Sequence, residues 1–173
     1  FVGSGYKRKG LDASIAALAK GGADAELWVV GHDRHPSAYQ RLAERSGVNL
    51  RLIGPVNDPL PYYASADILV LPSIYDPFPS TAIEALACGL PVVTSTSCGA
   101  KEAVGKLDPD LVRDAYDMAG LADAVTRALA LADDPRTVDR ARPIANDYDM
   151  NAMIDLLLRL YASLDLGKEA RPS

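Results

Sequence analysis

Lys7, Arg8 and Lys9 stand in a row between Gly5 and Gly10, directly before a segment of helical period. Cations and the free N–H groups of a helix start both attract anions, so this loop suits a diphosphate. The whole run Gly3-Ser4-Gly5-Tyr6-Lys7-Arg8-Lys9-Gly10-Leu11-Asp12 is not a dinucleotide fingerprint, because Arg8 stands where GxGxxG needs its third glycine. It is not a Walker loop either, since Leu-Asp follows Gly10 where Lys-Ser/Thr is required. Taken alone, the triplet is equally a solvated basic turn.

A second stretch, from Leu71 to Val93, carries two acids, Asp76 and Glu84, with seven residues between them. Asp76 is expected in a loop and Glu84 one turn into the following helix, so both can line the mouth of one cleft. Their different settings do not suggest a paired general acid and base. Each suits a carboxylate accepting hydrogen bonds from hydroxyls, which charged acceptors do strongly. The N–H groups of Ser80 and Thr81, at the helix start, are available to an anion. The structural alternative is that Thr81-x-x-Glu84 is a capping box and Asp76-Pro77 ordinary turn chemistry.

These loops need a scaffold that brings them together. Strand-like runs at Phe1–Ser4, Glu26–Val30, Val48–Ile53, Asp67–Leu71, Pro91–Ser95 and Leu111–Arg113 alternate with segments of helical spacing. Those segments begin with Leu11, Ile15 and Leu18 and continue over Ser37–Arg45, Leu60–Ser65 and Thr81–Cys88, the last capped by Gly89. Helices are expected near Met118–Ala132, Thr137–Asp147 and Asn151–Leu164. The order predicts an α/β fold: a Rossmann-like, doubly wound parallel sheet of about six strands. Ligands then bind at the carboxyl ends of the strands, in the loops after Ser4, Val30, Ile53, Leu71 and Ser95. One domain is expected over 1–166, with a frayed tail at 167–173. The apolar stripe Met153, Ile154, Leu157, Leu158, Tyr161 and Leu164 is expected to pack mostly on the chain's own sheet, the alternative being that part of it is exposed in an isolated domain.

Composition narrows the partners. The 173 residues are 49% hydrophobic and 24% charged, a globular balance. A net charge of −5 leaves no broad basic face for nucleic acid. No apolar stretch approaches the ~20 residues of a membrane span, and no signal peptide is visible, so a cytoplasmic domain without membrane contact is expected. Cys88 and Cys98 fit no metal or disulfide pattern and read as reduced thiols. His32 and His35 follow Gly31, and loop histidines of this kind are usually solvated or hydrogen-bonded, so no metal site is expected. Phe1 opens inside a strand-like run, which predicts an excised domain whose partner domain lies N-terminal.

The stretch Asp76–Val93 resembles the signature of retaining GT-B glycosyltransferases of family 4, the glycosyl transferases group 1. Their pattern is an acid, seven residues, a glutamate, then Ala-x-Ala-x-Gly-x-Pro-Val-Val, matched here by Glu84-Ala85-Leu86-Ala87-Cys88-Gly89-Leu90-Pro91-Val92-Val93. Leu27–Gly31, Leu52–Gly54, Tyr62–Asp67 and Leu69–Ser73 resemble further elements of the C-terminal half of that fold. The opening Val2–Asp12 is most similar to the lipopolysaccharide-core glucosyltransferases. The resemblance implies that Lys9 and Arg8 contact the donor diphosphate and stabilise the leaving nucleotide. It places Gly5, Gly31, Ile53, Gly54 and Phe78 around the donor, with Ile53 against the base. Glu84 would take the ribose hydroxyls and Asp76 those of the transferred sugar, with the Ser80 and Thr81 amides near phosphate and sugar.

The implied donor is a nucleoside-diphosphate sugar, UDP-hexose foremost and glucose within that, used without a metal cofactor. The implied acceptor is a glycan or lipid-linked glycan held by the absent N-terminal domain. The isolated domain is then expected to turn over poorly or not at all. Three departures bear on donor identity: Ser4 where many relatives carry Arg, Asp76 where Glu is common, and Pro79 where Gly is usual. A nucleotide-sugar epimerase on the same scaffold, and a non-catalytic receiver-like module, are the rival readings. The second lacks the acidic cluster such modules use.

Overall fold

The computed structural model describes residues 1–22 and 24–163. Its elements run α1 (Tyr6–Lys9), α2 (Leu11–Gly21), β1 (Glu26–Val30), α3 (Pro36–Ser46), β2 (Asn49–Gly54), α4 (Leu60–Ala64), β3 (Leu69–Leu71), α5 (Ser80–Ala87), β4 (Val92–Ser95) and α6 (Lys101–Leu107). A 3-10 turn at Pro109–Leu111 leads to β5 (Val112–Arg113), then α7 (Met118–Ala132), α8 (Arg136–Asn146) and α9 (Met150–Ser163).

Every strand pair is parallel, β1 with β2 and β4 with both β3 and β5. β3 and β4 are buried along their whole length, which is why Leu69-Val70-Leu71 and Val92-Val93 read as unbroken apolar runs. Helices cover them: α5, α6 and α7 pack against β4, and α2 packs against α7. Leu11, Ile15, Val29, Leu71, Leu86, Val92, Val93 and Leu121 are fully buried at the centre of this core.

The sheet is not the single six-stranded piece that the strand-like runs predict. Phe1–Ser4 makes one parallel bridge, Val2 opposite Val30. Gly3 N–H donates to Val30 O (2.8 Å) and Val30 N–H to Phe1 O (2.9 Å). A cleft of about 430 Å³ lies between β1 and β3, flanked by Leu27 and Trp28 on one side and Ile68 and Leu69 on the other.

Two helices differ from expectation. α6 is absent from the sequence reading because Gly105 interrupts a short segment, yet burial of Ala103, Val104 and Leu107 holds it helical. α9 does not lay its stripe on the sheet. Leu156, Leu158 and Tyr161 are exposed, as are Met153, Ile154 and Leu157. Polar Asn151, Asp155, Arg159 and Ser163 recur every fourth residue and form one stripe along α9, and the six apolar side chains lie off it, exposed. Leu164 and the tail expected at 167–173 lie outside the described residues.

Candidate functional site

Glycine conformation fixes the first loop. Gly5 (φ 73°) and Gly10 (φ 79°) adopt left-handed backbone at either end of α1, confining the cation triplet to a single helical turn. A Cβ on Gly10 would lie 2.2 Å from the carbonyl oxygen of Pro72, so only glycine lets α1 touch the end of β3. Ile74 N–H then donates to Arg8 O (2.9 Å), tying the first loop to the second.

The triplet is thereby split three ways. Lys9 is 8% exposed and its Nζ meets Asp76 Oδ2 at 2.5 Å. Arg8, half exposed, reaches the same oxygen at 3.4 Å and the Tyr75 carbonyl at 3.1 Å. Lys7 turns away to Asp12 at 2.5 Å, which leaves Arg8 and Lys9 beside Asp76. Asp76 is 6% exposed, far from the solvated turn that Asp-Pro alone suggests. The loop after β4 clamps it: Asp76 bridges Cys98, and Gly99 N–H donates to Asp76 O at 2.9 Å. A Cβ on Gly99 would stand 1.6 Å from the Pro77 carbonyl oxygen, which makes glycine obligatory there. The Cys98 thiol is pushed above its ordinary pKa, chiefly by burial.

The neighbouring strand ends join this cluster through backbone. Gly31 N–H donates to Gly54 O at 2.9 Å, and a Cβ on Gly31 would fall 2.1 Å from Gly3 O. Half-buried Ile53 precedes Gly54 in β2. Buried Tyr6 donates its hydroxyl to Gly31 O (3.0 Å) and its N–H to Asp33 Oδ2 (2.9 Å). His35 N–H donates to Asp33 Oδ1 at 2.9 Å. That His35 hydrogen bond, with the one from Tyr6, holds the Asp33 carboxyl below the usual range against the opposing effect of burial.

α5 supplies the other half. Pro79 is its N-cap, in extended backbone, and no side chain caps the helix. The capping box of Thr81 and Glu84 is therefore not formed, because proline sits where the capping side chain belongs. The N–H groups of Ser80 and Thr81 have no intrahelical acceptor, and Thr81 Oγ1 and Ser73 Oγ are buried without a partner. Glu84, half-buried, accepts from Tyr63 Oη at 2.9 Å. Phe78 leans outward, its ring 5.5 Å from that of Tyr148.

Lys9, Arg8 and Asp76 thus meet directly, with Gly5, Gly31 and Gly54 on adjoining strand ends and Ser80, Thr81 and Glu84 on α5. Neither the cleft between β1 and β3 nor a second cavity of about 180 Å³ is lined by Lys9, Arg8, Asp76, Ser80 or Glu84. His32 and His35 are exposed, and among the described residues no three His, Cys, Asp or Glu side chains gather into a metal-binding group. Tyr63, Ser73 and Gly99 escaped sequence reasoning as site residues; for Gly99, a glycine four residues past the end of buried β4 was the available signal.

The family model of glycosyl transferases group 1 matches residues 1–131. The chain belongs to that family. Among the glycosyl transferases group 1 and their kin, it is 38% identical over 104 residues to lipopolysaccharide glucosyltransferase WaaG of Escherichia coli, covering 57% of this chain and 28% of that protein. It is 31% identical over 165 residues to 2-deoxystreptamine glucosyltransferase of Streptomyces kanamyceticus, covering 90% and 42%. A crystal structure of WaaG, a glycosyltransferase involved in lipopolysaccharide biosynthesis, superposes with a TM-score of 0.73 at 28% identity over 95% of this chain and 46% of that one. Anabaena HepE in complex with UDP-glucose shares the fold, with a TM-score of 0.76 at 22% identity over 94% and 48%. The chain spans less than half the length of these relatives, and its parallel α/β architecture is that of the C-terminal half of a GT-B fold.

Proposed function

We propose that this chain is the donor-binding half of a retaining hexosyltransferase. It would hold a UDP-hexose, glucose foremost, for transfer to a glycan or lipid-linked glycan bound by an N-terminal domain, on the cytoplasmic side of the membrane. The observation that carries this reading is the meeting of Lys9, Arg8 and Asp76 at the strand ends, next to the open N-terminus of α5. The names of WaaG as a lipopolysaccharide glucosyltransferase and of HepE as a UDP-glucose complex support the donor class. The retained configuration rests on the family resemblance.

In this reading the diphosphate lies between α1 and α5. Asp76 fixes the Lys9 ammonium, and Arg8, half exposed, swings onto phosphate oxygens. The free Ser80 and Thr81 N–H groups, and the unpartnered hydroxyls of Ser73 and Thr81, are further donors in this region. As the glycosidic bond breaks, negative charge grows on the departing UDP. Fixed donors stabilise it at no reorganisation cost, each such contact contributing ~2–4 kcal/mol by analogy with oxyanion holes. The Asp76 carboxylate faces sugar hydroxyls, Glu84 the ribose, and Ile53 with Gly31 and Gly54 the base.

Titration calorimetry with UDP, and with ADP and GDP as controls, tests this. UDP binds preferentially, and Arg8→Ala and Glu84→Ala each weaken it roughly ten-fold, the scale of a charge-assisted hydrogen bond. Lys9→Ala weakens it further. Unchanged UDP affinity in Lys9→Ala and Glu84→Ala together would overturn the placement.

A further inference from the structure

Glu84 has a partner that its own helix does not explain. It is half-buried, and its carboxylate Oε2 accepts a hydrogen bond from Tyr63 Oη at 2.9 Å. Tyr63 comes from α4, a helix of five residues anchored by proline at its N-cap and first turn. Leu60 N–H, at the start of α4, donates to Asp58 Oδ1 at 2.9 Å, which pins the helix to the preceding turn. Tyr63 is 3% exposed, so its ring is locked by packing and its hydroxyl has one direction to point. Burial, then the charge of Glu84, pushes the Tyr63 hydroxyl well above its ordinary pKa. It stays protonated and always donates.

We infer that Tyr63 is a positioning residue: it holds the Glu84 carboxylate in the one orientation that accepts the hydroxyls of the nucleoside's ribose. The inference rests on the donor-binding reading above and adds to it a specificity device. An unrestrained glutamate on a helix surface samples several rotamers, and binding a diol through it loses that freedom. A fixed phenol removes the loss in advance, which is how pre-organisation raises affinity. It consumes one lone pair on Oε2 and leaves Oε1 whole, and an ionised carboxylate has about four acceptor sites to share. The benefit falls only on ligands that carry ribose hydroxyls.

That selectivity supplies the test. Binding of UDP and of 2′,3′-dideoxy-UDP is measured by calorimetry on the wild-type chain, Tyr63→Phe, Glu84→Ala and the double variant, with thermal unfolding of each as a check on folding. Expected is a wild-type preference for UDP, a roughly five-fold loss of UDP affinity in Tyr63→Phe, the scale of one hydrogen bond, and dideoxy-UDP affinity within two-fold of wild type. In the Glu84→Ala background, Tyr63→Phe then has no further effect on UDP. Equal weakening of both ligands by Tyr63→Phe identifies a merely structural tyrosine and overturns the inference. So does a Tyr63→Phe effect that persists without Glu84. Failure of the wild-type chain to bind UDP overturns the donor-binding reading itself, a result distinct from either.

Discussion

Lys9 and Asp76 are brought together from opposite ends of the site's two loops, the ammonium 2.5 Å from the carboxylate with both side chains nearly out of solvent. The contact exists because Gly10 lets α1 lie on the end of β3 and Gly99 lets the loop after β4 lie over Pro77. A buried ion pair of this kind adds little stability on net, since desolvation offsets attraction, but it is costly to break from one side.

Removing one partner strands the other charge. Asp76→Ala is expected to lower unfolding stability by about 3–5 kcal/mol. The double variant Lys9→Met/Asp76→Leu, which leaves no buried charge, recovers most of that loss while UDP binding stays absent. Urea denaturation of the wild type, Lys9→Met, Asp76→Leu and the double variant gives the cycle. Additive losses in the double variant would show that the pair does not interact.

Backbone contact at Gly99 makes a second forecast. Gly99→Ala drives a methyl into the Pro77 carbonyl, displaces Asp76 and costs about 1–3 kcal/mol, the usual scale of overpacking. Gly105→Ala, whose Cβ meets nothing within 4 Å and which lies inside α6, is the control. It raises stability by up to ~1 kcal/mol through helix propensity. Thermal unfolding separates the two variants by sign.

Asp33 sets an acid limb on stability. Its folded pKa lies below the unfolded value, so the native state binds fewer protons than the unfolded chain in the interval between them. The stabilisation is complete above the unfolded value near pH 4 and is lost as pH falls through the folded one. Asp33→Asn costs about 1 kcal/mol at pH 6 and flattens the stability profile below pH 4. Urea midpoints at pH 3 and pH 6 report both effects.

Positive charge from Lys9 and Arg8 is proposed to serve the diphosphate without a divalent ion. UDP affinity measured with and without excess EDTA is therefore expected to agree. A loss on chelation that Mg²⁺ or Mn²⁺ restores would assign that role to a metal.

Much of the scaffold was legible in the sequence because burial on both faces leaves a coarse trace. Leu69–Leu71 and Val92–Ser95 announce central strands, and Gly89 announces the end of α5. The site was legible as a set of residue types, including Asp76, Glu84 and the lysine–arginine turn. What stayed hidden was pairing between distant segments. Nothing in the spacing says that Lys7 leaves the cluster for Asp12, or that Tyr63 reaches Glu84. Nor does it say that Pro79 displaces the capping box its neighbours spell out. Helix α6 was hidden for a different reason, since a glycine in a short segment masks a helix held by its burial alone. The apolar residues of α9 have the right spacing for a packed stripe, and spacing alone does not reveal that they stand exposed.

Among the described residues no strand ladder joins the β1–β2 pair to the three strands beyond it. The segment from Phe1 to Lys9 makes the join instead, bonded to Val30, Gly31 and Asp33 on one side and to Ile74 and Asp76 on the other. A substitution that shifts this segment therefore moves both groups of strands at once.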